Sequence, residues 1–250
     1  MVLEESKIHI RGDNREAILQ AIEDIKLHRE TLVKYIRHNL DFQYTFEPLK
    51  ADDNAPEIVK RMTSSSSIAN VGPMASVAGT LADLGLEAMM KNKAKVALVE
   101  NGGEVAAYSE RPITVTILSS SLDLSGKIGF HILPEECPLG IATTSSKTEH
   151  AISFGQADSV TTVAGNASLA DAAATAISNS VLGNDVKSSI QLGLRRCLEI
   201  PGVRGALIIR EGHSGLIGRL PRIIKVKEQM RDHPDLCVDV LEDRLCDLPV

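Results

Sequence analysis

The sequence predicts an α+β protein in which antiparallel sheets are faced by helices. Three observations favour this class. Apolar runs of strand length are separated by polar or glycine-rich turns, and some of these turns are short enough for hairpins. Two longer segments have the apolar spacing or the alanine content of helices. The strands do not alternate regularly with helices, which argues against a repeating β–α–β fold.

The composition limits the classes of function. The 250 residues allow a substantial core, and we expect one domain over 1–250, with an N-terminal region (1–60), a core (61–185) and a C-terminal region (186–250). The net charge is −6 and the basic residues are scattered, which argues against nucleic-acid binding. No apolar run is long enough to span a membrane, and the four cysteines lack zinc-site spacing. We therefore expect a cytoplasmic protein with reduced thiols and no membrane partner.

The N-terminal region predicts a short edge strand and a long helix. Residues 2–11 form the strand, and Asp13 with Glu16 three residues later resembles a capping box. Apolar residues then keep helical spacing to about residue 39. Residues 42–48 alternate and are interpreted as a strand or extended segment that seals an edge. Because aromatic residues are only 3% of the chain and the helix has a clear apolar stripe, we predict a homodimer.

Two helices with a polar connection are predicted next. Residues 56–62 read as a short helix, and the Thr-Ser run at 63–67 reads as a linker or as a hydroxyl-rich loop that binds phosphate. Gly72-Pro73 opens a second helix with a face of small residues, namely Ala75, Ala78, Gly79 and Ala82. Such a face permits close packing on a sheet or, alternatively, the approach of a flat ligand.

The middle of the chain predicts a hairpin and further antiparallel strands. Strands at 95–100 and 104–108 flank Asn101-Gly102-Gly103, which has the chemistry of a hairpin turn. Adjacent glycines also leave backbone N–H groups free for an anion or the edge of a cofactor ring. Further strands are predicted at residues 112–118, 127–133 and 140–144, the first two joined by a polar turn around Ser125-Gly126.

A hydroxyl-rich stretch follows the strand at 140–144. It consists of Thr143, Thr144, Ser145, Ser146 and Lys147. Hydroxyls followed by a lysine suit a phosphate group, and a solvated loop is the alternative. His150 comes three residues later and is a candidate acid or base, although a lone histidine is more often structural.

The strongest candidate site lies between residues 159 and 175. The apolar run 159–164 predicts a buried strand, and Ser168 is a plausible N-cap for a helix that begins at Leu169. This start places Asp171 in the first helical turn and Thr175 one turn later on the same face. A carboxylate and a hydroxyl stacked in this way are ligands that Mg²⁺ accepts together with water and phosphate oxygens. The alternative is that Asp171 only complements the helix dipole and that Thr175 is an ordinary core residue.

The C-terminal region predicts one helix and two strands. Gly183-Asn184-Asp185 makes a break, after which a helix runs to about Glu199. An apolar strand at 206–209, a tight turn at 211–215 and a last strand at 223–226 follow, and the tail from residue 227 is polar.

The order of these motifs resembles the ApbE-like flavin transferases over roughly residues 60–185. The Asp-x-x-x-Thr run of Asp171 and Thr175, placed after its strand, is similar to the signature of that family. The helix around Ala78-Gly79 resembles the family's glycine-rich helix, and Asn101-Gly102-Gly103 resembles its Asn-x-Gly-Gly hairpin. Residues 142–146 stand where the family has a Thr-Ser-Gly loop.

The resemblance is to the shorter branch of the family, found in archaea and anaerobic bacteria. Val77-Ala78-Gly79 stands where other members have a Lys-Gly-Tyr motif. Residues 150–156 fill the interval in which others have His-x-x-Asp-Pro-x-Thr-Gly.

The resemblance implies a fold, a cofactor and a reaction. The fold is a duplicated T-fold-like α+β architecture. Asp171 and Thr175 correspond to magnesium ligands beside the diphosphate of FAD, residues 101–103 line the ligand, and residues 143–146 contact its phosphates. In the family, the metal helps to move the FMN moiety from FAD onto a Thr or Ser hydroxyl of a target protein.

Three functions remain open on the sequence. The first is a Mg²⁺-dependent transferase or hydrolase acting on a flavin diphosphate, with His150 as acid or base. The second is a non-catalytic protein that binds or carries a flavin or nucleotide. The third is thiol or sulfur chemistry at Cys137, which is disfavoured because Glu135 and Glu136 raise the pKa of the thiol.

Overall fold

The computed structural model describes residues 8–117, 127–145 and 154–226, together with the backbone of residues 237–239. In chain order the strands are β1 (Ile8–Gly12), β2 (Val96–Asn101), β3 (Glu104–Ser109), β4 (Ile113–Thr116), β5 (Ile128–Ile132), β6 (Leu139–Thr144), β7 (Ser159–Ala164), β8 (Val203–Arg210), β9 (His213–Gly218), β10 (Arg222–Lys225) and β11 (Cys237–Asp239). The helices are α1 (Arg15–His38), α2 (Leu40–Tyr44), α3 (Glu57–Ala69), α4 (Val77–Lys91), α5 (Ala167–Ser180) and α6 (Val186–Glu199). A 3₁₀ turn at Pro73–Ser76 leads into α4.

The strands form two antiparallel sheets. The larger has eight strands in the order β11-β1-β2-β3-β6-β7-β8-β9, and the smaller has the order β10-β5-β4. The α+β class with antiparallel sheets faced by helices is therefore confirmed. The prediction that the first strand lies at an edge is wrong, because β1 pairs with β2 on one side and with β11 on the other.

The large sheet is the middle of three layers. On one face it packs against the helices, and two clusters of buried side chains form there. One cluster joins α1, α3 and α4 to β1 and β2. The other joins α5 and α6 to β7 and β8. On the other face it packs against the small sheet, with Phe130 fully buried between them. The side chains of successive residues in one strand therefore face different layers. Ala106 of β3 faces the helices, whereas its neighbours Val105 and Ala107 face the small sheet.

Helix α1 is confirmed, but it is capped one residue later than predicted. The side chain of Asn14 accepts hydrogen bonds from the backbone N–H groups of Glu16 and Ala17. Asp13 instead accepts from the N–H groups of Lys95 and Val96, at 3.1 and 3.2 Å. It ties the start of the helix to β2 rather than capping it.

The apolar stripe of α1 lies inside the chain. Ile18, Ile22, Ile25, Leu32 and Ile36 are all buried in the cluster that α1 shares with α4. The stripe that motivated the predicted homodimer therefore cannot serve as an interface between two copies.

The prediction of an extended segment at residues 42–48 is wrong, because residues 40–44 form the short helix α2. Phe42 is 3% exposed and packs edge-on against Tyr35, with ring centroids 5.3 Å apart. Tyr44 and Phe46 are exposed. A single helical turn can bury one aromatic ring and leave its neighbours exposed. The alternation of aromatic residues therefore did not indicate a strand here.

The Thr-Ser run at residues 63–67 is neither a linker nor a phosphate loop, because α3 continues through it to Ala69. Two of its hydroxyls are hydrogen-bonded within the helix. The Thr63 hydroxyl donates to the carbonyl of Val59 at 3.0 Å, and the Ser66 hydroxyl donates to the carbonyl of Thr63 at 3.2 Å. The helix ends at Asn70, whose φ of 57° is left-handed.

The remaining predictions hold in outline, except that the tight turn predicted at 211–215 is shorter, because the unpredicted strand β9 begins at His213. β2 and β3 form the predicted hairpin, and α6 begins after Asp185, whose side chain accepts from the N–H of Ser188 at 2.7 Å. β4 and β5 pair as predicted, but they belong to the separate small sheet. The turn around Ser125-Gly126 lies outside the described residues. No helix within the described residues is long and apolar enough to cross a membrane.

Candidate functional site

Helix α5 begins two residues earlier than predicted. Asn166, not Ser168, is the N-cap, and its side chain accepts from the N–H of Leu169 at 2.8 Å. Asp171 is therefore the fifth residue of the helix rather than part of its first turn. The helix dipole acts mainly within the first turn, so the dipole of α5 does not explain why a carboxylate stands at this position. Thr175 follows one turn later, and both side chains are half-buried.

The carboxylate of Asp171 binds the start of another helix. Its Oδ2 accepts a hydrogen bond from the backbone N–H of Gly79 at 2.9 Å, and the N–H of Ala78 also hydrogen-bonds it. Ala78 and Gly79 are the second and third residues of α4. Such N–H groups have no acceptor within their own helix. Asp171 therefore caps α4 from α5.

The small-residue face of α4 is explained by this contact. A Cβ atom on Gly79 would lie 2.2 Å from the carbonyl oxygen of Ala167 and 2.9 Å from the Cβ of Asp171. At Gly79 the face therefore serves close packing against a helix, whereas Ala82 lies in the core cluster that α4 shares with β2.

A second carboxylate makes the converse contact. Asp83 of α4 accepts hydrogen bonds from the N–H groups of Ala167 and Ser168, the first two residues of α5, both at 2.8 Å. The hydroxyls of Thr80 and Ser168 hydrogen-bond alongside at 2.7 Å. Each helix thus supplies an aspartate that caps the other. We call these contacts of Asp83 and Asp171 the reciprocal cap.

Burial of these acids disfavours their ionised forms. Burial raises the pKa of Asp83 to about 6, although its two amide partners oppose the shift. Burial also raises the pKa of Asp171 to about 7, with a further contribution from the charge of Asp83 and opposition from the amides of α4. The site therefore holds carboxylates whose charge is not balanced by their hydrogen-bond donors.

A third acid, Glu104, lies at the start of β3 and is half-buried. Its pKa is raised well above the ordinary range, first by burial and then by the negative charge of Asp171. The N–H of Gly103 donates to the Glu104 carboxylate at 3.2 Å and only partly offsets this effect. The negative charge of Asp171 therefore disfavours ionisation of Glu104, and a cation bound at Asp171 would relieve this repulsion.

The glycine turn of the hairpin connects this site to the sheet. Asn101 is buried, and its amide donates to the carbonyl of Ala78 at 3.2 Å, which fixes the hairpin to α4. Gly102 has a φ of 74°. A Cβ on Gly103 would lie 2.4 Å from the carbonyl oxygen of Thr143. The turn therefore requires glycine at both positions for conformation and for close approach.

The predicted hydroxyl residues lie at the end of β6. The Thr143 hydroxyl hydrogen-bonds the hydroxyl of Thr161 on β7 at 3.0 Å, and the Thr143 N–H donates to the carbonyl of Gly103. Thr144 is the last residue of β6, and Ser145 after it is buried. The backbone contact between Thr143 and Gly103 joins this strand end to the hairpin turn. The predicted residues Ser146 and His150 lie outside the described residues.

Asp83 and Glu104 were not singled out from the sequence, although each leaves a signal there. Asp83 is the one charged residue in the otherwise apolar run Leu81–Leu86. Glu104 directly follows the two glycines of the hairpin turn. A charge in a buried helix face must find a partner, so Asp83 could have been recognised as a capping or site residue.

The donor set suits Mg²⁺ better than a softer metal. Within the described ranges, no three His, Cys, Asp or Glu side chains are grouped to hold a metal ion. A site with one or two carboxylates and a hydroxyl leaves positions for water and phosphate oxygens, as Mg²⁺ requires. Zn²⁺ would require four protein ligands in a structural site or three in a catalytic one.

The described thiols are not activated. Cys137 and Cys197 are free. Burial is the main cause that raises the pKa of Cys137, and the charge of Glu136 adds to it. Burial raises the pKa of Cys197 to about 11. Both thiols are thus poor nucleophiles at neutral pH.

Comparison with known proteins gives a family match over most of the chain. The model of a family described as AbpE bacteria matches residues 1–195. A UPF0280 protein of Methanosarcina barkeri is 37% identical over 89% of this chain and 87% of its own length. A UPF0280 protein of Methanothermobacter thermautotrophicus is 39% identical over 90% of this chain and 86% of its own.

Two solved structures are more distantly similar. The apo form of the flavinyl transferase ApbE of Pseudomonas stutzeri has a TM-score of 0.46 and 13% identity, covering 87% of this chain and 96% of that one. The ApbE protein of Thermotoga maritima has a TM-score of 0.43 and 15% identity, covering 89% of this chain and 79% of that one.

Proposed function

This chain belongs to the ApbE-like family described as AbpE bacteria, and from that premise we propose that it binds a flavin dinucleotide, FAD, through Mg²⁺ held by Asp171 and Thr175. The observation that carries the proposal is the pair of acids Asp171 and Glu104, whose pKa values are both raised and which lie beside the glycine turn of the hairpin. A cation and a diphosphate would together balance the charge of such a site. The motif resemblance implies that this aspartate and this threonine correspond to the metal ligands of the family, which supports the proposal.

The residues present fit such a metal. Asp171 is held in one orientation by the amides of α4, which leaves lone pairs of its carboxylate for a cation. Thr175 adds a neutral oxygen one turn along the same face, and Glu104 is near enough for the charge of Asp171 to raise its pKa. When bound, Mg²⁺ supplies neutralisation of the diphosphate and Lewis-acid polarisation of its phosphorus–oxygen bonds.

The proposed reaction is transfer of the FMN moiety to a hydroxyl group. The hydroxyl oxygen forms a bond to the phosphorus that carries the riboflavin part, the bond from that phosphorus to the bridging oxygen breaks, and AMP leaves with that oxygen. With a protein hydroxyl as acceptor the protein is a transferase, and with water it is a hydrolase. The hydroxyl proton needs a base. Glu104 is the candidate base, because a carboxylate with a raised pKa is a stronger base once it is ionised.

The alternative function uses the same site without turnover. A protein that only binds or carries a flavin needs Asp171 and the glycine turn but no base. Incubation of the protein with FAD and Mg²⁺, followed by chromatography of the products, separates the two cases. Release of AMP supports the enzyme, whereas FAD that stays bound and intact supports the carrier. Sulfur chemistry at Cys137 is disfavoured by the raised pKa of its thiol.

Calorimetric titration of FAD in the presence of Mg²⁺ tests the site directly. We expect Asp171→Asn to keep the side-chain volume, remove one ligand charge and weaken FAD binding at least about tenfold. Thr175→Val should act in the same direction but more weakly, because a neutral hydroxyl contributes less than a carboxylate. Asp185→Asn, which removes an equal charge at the N-cap of α6, is the control and should bind as the wild type does. Equal FAD affinity in all four proteins would contradict the proposal.

A homodimer and a cytoplasmic location remain predictions. With the α1 stripe buried inside the chain, a dimer needs another surface. The outer edge of β9 has no strand paired to it among the described residues. That strand carries no acidic, lysine or arginine side chain, and Leu216 on it is 54% exposed. An edge without charged side chains can pair with the same edge of a second copy.

A further inference from the structure

Asp83 is the most buried of the acids around the site, and its carboxylate binds the backbone of α5. It is 7% exposed, and both oxygens of its carboxylate are used by the amides of Ala167 and Ser168. These two N–H groups are the first of α5 and have no acceptor within that helix. Loss of the carboxylate would leave them buried without a partner, which buried polar groups do not tolerate.

The start of α5 also determines where Asp171 lies. From Ser168 to Asp171 there are three residues of helix, a distance of about 4.5 Å along the axis. A shift of the first turn of α5 is therefore transmitted rigidly to the Asp171 carboxylate. That carboxylate must meet the N–H of Gly79, in a contact so close that a methyl group on Gly79 would not fit.

The two halves of the reciprocal cap are therefore mechanically linked. Asp83 fixes α5 against α4 at one point, and Asp171 meets α4 at another point four residues earlier along α4. The bond between the hydroxyls of Thr80 and Ser168 lies between them. The Thr80 hydroxyl also contacts the carbonyl of Ser76 at 2.6 Å, so it is held in place from its own helix.

We propose that Asp83 is a positioning residue for the metal site, which acts through the amides of Ala167 and Ser168 to orient the carboxylate of Asp171. The inference rests on the proposed function, since it assumes that Asp171 binds a divalent cation. Asp83 itself contacts neither the cation nor the flavin.

Binding of Mn²⁺ to the full chain, followed by electron paramagnetic resonance, tests the proposal. The measurement is made well below the melting temperature of each variant, so that it reports the affinity of the folded protein. We expect Asp83→Asn to weaken Mn²⁺ binding at least about tenfold, as the loss of groups that orient metal ligands usually does.

Asp158→Asn is the matched control. Asp158 is 8% exposed and accepts a hydrogen bond from the N–H of Glu211 at 2.6 Å, so it too is a buried aspartate that binds backbone of another segment. This variant should lower the melting temperature but leave the Mn²⁺ affinity of the folded protein unchanged. Equal Mn²⁺ affinity in wild type and Asp83→Asn, or an equal loss in both variants, would overturn the positioning role. A wild type that binds no Mn²⁺ would overturn the proposed metal site as well.

Thr80→Val and Thr80→Ser keep the proposal testable if Asp83→Asn does not fold. Valine removes the hydroxyl that bonds Ser168 but keeps Asp83, and serine keeps the hydroxyl. We expect Thr80→Val to lower the Mn²⁺ affinity and Thr80→Ser to restore it to the wild-type value. If the Thr80→Val protein binds Mn²⁺ as tightly as the wild type, the cap does not position Asp171.

Discussion

At the scale of single residues, Asp171 has two kinds of neighbour with opposite effects on its charge. The amides of Ala78 and Gly79 stabilise its ionised form, whereas burial and the charge of Asp83 destabilise it. The balance raises its pKa from the ordinary 3.8 to about 7. The residue is therefore close to half ionised at neutral pH unless a cation binds.

This balance predicts that metal binding depends on pH. A cation binds the ionised carboxylate, so protons compete with it at every pH below the pKa of about 7. The affinity for Mg²⁺ should therefore rise by up to about tenfold per pH unit as the pH increases toward 7, and it should level off above that. Titration calorimetry with Mg²⁺ between about pH 5.5 and 8 measures this change in affinity. An ordinary aspartate would already be fully ionised in this range, so an affinity independent of pH would contradict the raised pKa.

At the scale of elements, α4 and α5 approach each other so closely that one glycine is required. Gly79→Ala would place its methyl group 2.2 Å from the carbonyl oxygen of Ala167, a backbone atom that cannot move aside alone. The two helices would have to separate, and Asp171 would lose its amide partner. We expect a net loss of about 2 kcal/mol in the free energy of unfolding, despite the better helix propensity of alanine.

Gly85→Ala is the matched control for that change. It lies on the same helix and gains the same helix propensity, but its methyl group would meet the end of the flexible Ile25 side chain, 2.5 Å from its Cδ1. The atom that meets the new methyl group is the end of a side chain rather than backbone, so the free energy of unfolding should fall by less than in Gly79→Ala. Urea unfolding of both variants gives the comparison. Equal destabilisation by the two substitutions would show that the contact between α4 and α5 is not specially close.

The elements that the sequence predicts well are those set by local chemistry. The β2–β3 hairpin follows from its glycine turn, and α6 follows from its aspartate N-cap. The errors occur where distant contacts decide. The hydroxyls of Thr63 and Ser66 are hydrogen-bonded within a helix, and Phe42 is buried by a helical turn.

The same distinction holds for the site. The spacing of Asp171 and Thr175 predicts their common face, because that follows from helix geometry alone. The partners of the acids could not be predicted in the same way. Asp83 bonds Ala167, which is 84 residues away in the chain, and Asp171 bonds Gly79, which is 92 residues away. Only the packing of α4 on α5 brings these groups together.

At the scale of the whole molecule, the large sheet has unequal edges. One edge ends in β11, three residues long, and the other ends in the six-residue strand β9. If β9 pairs with a second copy, Leu216→Lys should prevent dimer formation, because a lysine on an edge strand opposes pairing. Light scattering should then report a dimer for the wild type and a 26.9 kDa monomer for the variant. A wild-type monomer would contradict the dimer, and a dimeric variant would contradict this interface.

In the proposed site, Asp171 binds a cation, and this cation in turn binds the diphosphate. Two ligands that share a site in this way must raise each other's affinity. The most direct measurement is therefore the affinity of the wild-type protein for FAD, determined by calorimetry with Mg²⁺ and again with excess chelator. If Asp171 holds the Mg²⁺ that binds the diphosphate, the wild type should bind FAD at least about tenfold more tightly with Mg²⁺ than with chelator. The Asp171→Asn variant should show no such dependence. The same FAD affinity in the wild type with and without Mg²⁺ would contradict this arrangement.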